Sequence, residues 1–188
     1  MFARPAILAA PLGLAAIVSV GLGASASACR YDPVPQALID SLGEETGSPG
    51  PTHRPGQPCL ACHSTYEGAT PAMAVGGTVY KQDEMGVLIP APRVIVTITD
   101  TSGDSRKACT NSAGNFYIEK SDWEDVAFPL AVTAGDRKMR SLIGRDGSCA
   151  TCHKTPAAGV AGVGATFDSP GVVIVSPDAI DTTCPGGP

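Results

Sequence analysis

Two pentapeptides, Cys59-Leu60-Ala61-Cys62-His63 and Cys149-Ala150-Thr151-Cys152-His153, restrict this chain more than any other feature. Each fixes two thiols and an imidazole within five residues. Only seven cysteines and three histidines occur in 188 residues. Random placement of those residues yields roughly 0.004 such pentapeptides, so a pair of them is a designed feature of the chain. Whatever the fold, it must hold two copies of one chemical device 90 residues apart in sequence.

Three chemistries use a Cys-x-x-Cys pair. A structural zinc site wants its two pairs at compact spacing and has no use for a His directly after each second Cys. A thioredoxin-like redox dithiol needs a strand feeding a helix. The flanks Gln57-Pro58 and Gly147-Ser148 do not supply that arrangement. The third chemistry, covalent haem attachment, requires two thiols spaced to reach the two vinyl groups on one porphyrin edge. An adjacent His then turns to the iron. The sequence therefore predicts two covalently attached c-type haems, bound by Cys59, Cys62 and His63 and by Cys149, Cys152 and His153, with His63 and His153 as proximal iron ligands.

Candidates for the opposite side of each iron are few: His53, Met73, Met85 and Met139. His53 lies in the stiff lead-in His53-Arg54-Pro55-Gly56-Gln57-Pro58 and is the one His not committed to a pentapeptide. Met139 stands ten residues before Cys149, and Met73 ten residues after His63, so both are within chain reach of a haem. Of the two, Met139 is the preferred distal candidate and Met73 the weaker. Met85 sits in a polar turn, Lys81-Gln82-Asp83-Glu84-Met85-Gly86, and has no comparable case.

The amino terminus carries Arg4, an apolar run from Pro5 to Leu22, and a small-residue stretch ending at Ala28 before Cys29. This pattern predicts an export signal over residues 1–28 rather than a membrane-spanning helix. Ala26-Ser27-Ala28-Cys29 resembles the lipobox of bacterial lipoproteins. That resemblance implies lipidation of Cys29, a membrane anchor, and a periplasmic or outer-membrane-associated location. Residues 29–56, rich in Pro and Gly, read as a tether. If Cys29 bears lipid and four cysteines bind haem, Cys109 and Cys184 remain to pair in a disulfide, two free thiols being the alternative. Lys and Arg total 13 against 18 Asp and Glu, so no basic surface points to nucleic acid.

Between the pentapeptides, apolar and polar residues alternate in short runs. Val94, Val96 and Ile98 share one face of a strand, with Ile95, Thr97 and Thr99 on the other. Turns at Thr101-Ser102-Gly103-Asp104 and Ser112-Ala113-Gly114-Asn115 separate the runs, and Gly171-Val172-Val173-Ile174-Val175 is a late strand. The spacing predicts a mainly β chain, a small antiparallel β-sandwich of Ig-like or transthyretin-like type flanked by two irregular haem-binding segments.

Gly76-Gly77-Thr78-Val79-Tyr80, Ile89-Pro90-Ala91-Pro92-Arg93-Val94-Ile95-Val96 and Thr110-Asn111-Ser112-Ala113-Gly114-Asn115-Phe116 together resemble the carboxypeptidase regulatory-like domain, a transthyretin-like (prealbumin-like) sandwich. That family is mostly structural and brings no catalytic residues. The expected order is a first haem-binding segment over 57–73, the sandwich over 74–140, and a second haem-binding segment with a C-terminal strand and tail over 141–188. The whole resembles the dihaem c-type cytochromes of bacterial envelopes, which implies electron transfer with redox partner proteins and no enzymatic activity. The alternatives are a haem-based sensor or peroxidase-like enzyme with one open iron position, and a surface binding or adhesion sandwich.

Overall fold

Alternation along the central third of the chain is realised as two β-sheets packed face to face. The structure, a computed structural model, describes residues 33–45, 47–64, 68–144, 146–154 and 169–185. The chain divides into two compact units, 1–33 and 34–188, and the description is of the second. The apolar run from Pro5 to Leu22 and Cys29 lie outside the described residues.

The first sheet is built on β1 (Met73–Gln82), which pairs antiparallel with β2 (Leu88–Pro90) and β5 (Asn115–Glu119) and parallel with β8 (Val173–Ile174). The second sheet runs β4 (Ser105–Cys109), β3 (Ile95–Thr99), β6 (Ala131–Ala134), β7 (Arg137–Lys138), all antiparallel. Val75 and Val79 of β1, Val96 and Ile98 of β3, Phe116 and Ile118 of β5, and Val132 of β6 point between the sheets and are buried. Each such side chain stabilises the fold by roughly 1.5–3 kcal/mol through burial. Trp123 is buried too, with the Arg106 guanidinium 5.3 Å over its ring.

Cys109 at the end of β4 is joined to Cys184 by a disulfide with a Cα–Cα distance of 5.7 Å. A disulfide is compatible with an extracellular or periplasmic location. Among the described residues no helix is long and apolar enough to cross a membrane.

Two local expectations are modified. The late strand is shorter than the run Gly171–Val175: only Val173 and Ile174 pair with β1. Its ends have other duties, since the Gly171 carbonyl accepts from the His153 ring and Val175, buried in the core, donates its N–H to Tyr80. The 29–56 segment is not extended throughout. Pro33–Ser41 forms helix α1, and the stretch from Pro51 to Gly56 is bound to the first sheet. Asn115 Nδ2 donates to the carbonyl of His53 at 2.9 Å, and Thr78 Oγ1 accepts from Gly56 N at 2.7 Å. A main-chain turn with unpaired carbonyls meets a buried amide that needs acceptors, and the two satisfy one another.

Candidate functional site

Both pentapeptides adopt one tight turn. Leu60–His63 is a four-residue helix, α2, with Cys59 at its N-cap. Cys149–Thr151 is a 3₁₀ turn with Cys152 at its C-cap. In each, the His N–H donates to the carbonyl of the first Cys, His63 to Cys59 at 3.0 Å and His153 to Cys149 at 2.9 Å. Residues three and four apart share a face of a helical turn, so each segment presents its two thiols and its imidazole together.

The two imidazoles are oriented alike. His63 Nδ1 lies 2.8 Å from the carbonyl oxygen of Pro71, and His153 Nδ1 lies 2.7 Å from that of Gly171. A carbonyl can only accept, so Nδ1 carries a proton in both rings, and in the neutral imidazole Nε2 is then the nitrogen with the lone pair. Metal-ligating histidines carry such a bond to fix tautomer and ring angle. At the second site Ser169 adds a clamp, donating its hydroxyl to Cys152 O at 2.8 Å and accepting from Gly171 N at 3.1 Å.

Each turn opens on a cavity. The first, of about 450 Å³, is lined by Cys59, Cys62, His63, His53, Met73 and Tyr117 among others. The His53 ring centre is 5.7 Å from that of His63, and His53 Nδ1 is hydrogen-bonded to the Gly50 carbonyl. The second cavity, of about 410 Å³, is lined by Cys149, His153, Met139, Phe116, Val96 and Val132 among others. It enters between the two sheets. The structure thus brings His53 and Met73 to the first motif and Met139 to the second. Met85, 84% exposed, is at neither.

Burial raises the Cys59 thiol above the ordinary cysteine range, opposed by a main-chain hydrogen bond and aided by Cys62. Burial also pushes Cys149 up to about 12, with Cys59 and Asp146 adding to the shift. Reactive dithiol cysteines have depressed values, and neither of these two thiols does. Among the described residues no group of three or more His, Cys, Asp or Glu is arranged to hold a bare metal ion.

Sequence reasoning did not find the supporting residues Pro71, Ser169 and Gly171, nor the role of Gly76 and Gly77. A Cβ on Gly76 would come within 3.2 Å of Cys59 Cβ, and one on Gly77 within 2.7 Å of Cys149 Cβ. A pair of glycines inside a strand is itself a signal of close approach by another part of the chain. Comparison with protein-family models, with curated proteins and with solved structures finds no match to this chain.

Proposed function

We propose that this chain is a dihaem c-type cytochrome that carries electrons in the bacterial cell envelope. One observation carries the reading: two Cys-x-x-Cys-His turns, each with its His Nδ1 tied to a main-chain carbonyl, each opening on a cavity. The donor set fits a haem better than a bare ion. A porphyrin brings its own nitrogens, so the protein need offer only thiols on one edge and an axial nitrogen, and that is what each turn offers. Cys59 and Cys62 would hold the first haem and Cys149 and Cys152 the second, with His63 and His153 as proximal ligands. Arg137 and Lys138 line the second cavity and are exposed, which suits the carboxylates of a haem.

When bound, the haem supplies a one-electron couple at iron. The chain's own residues do the rest. Nδ1–H bonds to Pro71 and Gly171 hold the imidazoles and raise their basicity. Val96, Phe116 and Val132 keep the second cavity apolar, which disfavours the more charged oxidation state. His53 lines the first cavity and Met139 the second, and each would be the residue to complete the ligand set of the haem bound there. The chain is exported and held to a membrane by lipid on Cys29, and its redox partners are other proteins of the envelope.

Haem retention after denaturation and acid washing tests the reading. Two haems per chain are expected, and one in the Cys59→Ala/Cys62→Ala variant. Complete loss of haem from the wild type overturns it. Anchoring is tested separately: Cys29→Ser should move the protein to the soluble fraction with both haems in place. A mutant that stays in the membrane as uncleaved precursor refutes the lipid anchor.

A further inference from the structure

Consecutive residues of an extended strand project from opposite faces, and β1 uses this at Gly76 and Gly77. The Cβ position of Gly76 is 3.2 Å from Cys59 Cβ and 3.5 Å from its Sγ. The Cβ position of Gly77, on the other face, is 2.7 Å from Cys149 Cβ and 2.9 Å from its Sγ. The leading cysteines of the two motifs therefore press on the same strand, from opposite sides, at neighbouring residues. Neighbouring Cα atoms are about 3.8 Å apart, which keeps the two cysteine Cβ atoms within about 13 Å of one another. The second motif is also stitched to this point of β1: Gly76 N donates to Gly147 O at 3.0 Å, and Gly76 bridges Ser148. Nothing larger than glycine fits at Gly77 without displacing Cys149 or Phe116, whose ring carbon is 3.2 Å away.

We propose that Gly76-Gly77 is the spacer that joins the two haem sites into one electronically coupled pair, with a single strand of backbone between their attachment edges. The inference rests on the dihaem reading above. Within the pair, one electron leaves a ferrous iron, which becomes ferric, and enters a ferric iron, which becomes ferrous. No bond is made or broken and no proton is required to move. An electron accepted at either site would thus reach the other without a second partner protein.

Circular dichroism in the Soret region tests this on the full-length holoprotein. Coupled haems give a bisignate band in the wild type, and that band collapses to one sign in each one-haem variant, Cys59→Ala/Cys62→Ala and Cys149→Ala/Cys152→Ala. The reduction potential of either haem should also shift by more than about 60 mV, a tenfold change in a one-electron equilibrium, when its neighbour is removed. Gly77→Ala should at least halve the bisignate amplitude in protein that still retains two haems. If the wild-type spectrum equals the sum of the one-haem spectra and the potentials are unchanged, the coupling is refuted, whether or not the glycine variant folds. Retention of fewer than two haems by the wild type instead overturns the underlying reading.

Discussion

The imidazole rings of His53 and His63 lie 5.7 Å apart, centre to centre, with their planes inclined by 36°. Two imidazoles bound to one metal through bonds of about 2 Å have ring centres roughly 6 Å apart, so the pair already stands near the spacing of two axial ligands. Both rings have Nδ1 tied to a carbonyl, of Gly50 and of Pro71, which leaves Nε2 of each for a metal. His53→Ala should therefore convert the first haem from a six-coordinate spectrum and move its reduction wave by more than about 60 mV. Unchanged ligand-field bands in the variant would remove His53 from the site.

Met139 lines the cavity of His153 and is packed against the core at the end of the second sheet. A thioether raises the haem potential relative to an imidazole, so the second haem is expected to give the upper of two reduction waves. Met139→Leu keeps the packing and removes the sulfur. It should abolish the thioether-to-iron absorption band of the oxidised protein and lower the upper wave, with unfolding stability changed by less than about 1.5 kcal/mol. A variant that loses stability but keeps the band would make Met139 a packing residue only.

The Cys109–Cys184 disulfide spans 75 residues and fastens the C-terminal tail to β4. Cross-links that close loops of this size stabilise by roughly 2–5 kcal/mol, in large part by restricting the unfolded chain. Replacing both cysteines by Ala should lower the free energy of urea unfolding within that range. Haem attachment should persist, because the tail keeps its main-chain bond from Asp181 to Arg93 at 2.8 Å. A loss below about 1 kcal/mol would mean that the tail is held by its other contacts alone.

Much of this molecule could be read from local pattern. Val94, Val96 and Ile98 alternate with Ile95, Thr97 and Thr99, and the first three are the buried set. Local pattern also located the two turns, because a Cys-x-x-Cys-His segment carries its chemistry within five residues. What surrounds those turns was not legible. The partner of His153 is Gly171, 18 residues on, and Asn115 reaches back 62 residues to the His53 carbonyl. Such contacts are set by how the sheets stack, which no short window of sequence encodes. Gly76 and Gly77 were visible, but as part of a fold pattern. Why both positions are glycine emerges only when a cysteine from elsewhere is found against each face.

Asp100 directly follows β3 and organises the turn that leads into β4. Its Oδ1 accepts from Ser102 Oγ at 2.6 Å, Ser102 N at 2.9 Å and Asp104 N at 3.0 Å, and its Oδ2 accepts from Ala127 N at 3.2 Å. The Ser102 hydroxyl does most to hold the carboxyl below the usual aspartate range; desolvation pushes it up by less than that, and the amides of Ala127, Asp104 and Ser102 each pull it down further. A carboxyl whose value is depressed by folding stabilises the native state fully above its unfolded value, about 3.9. That contribution is lost as pH falls through the folded value. Asp100→Asn should therefore lower the urea midpoint at pH 7, where the wild-type carboxylate makes all four bonds. The gap between the two proteins should then narrow as pH is lowered below about 4, because acid removes from the wild type what the substitution has already removed from the variant. Urea titrations of both proteins across that range decide the point: a gap that stays constant with pH would mean that shape, and not charge, is what the turn takes from Asp100.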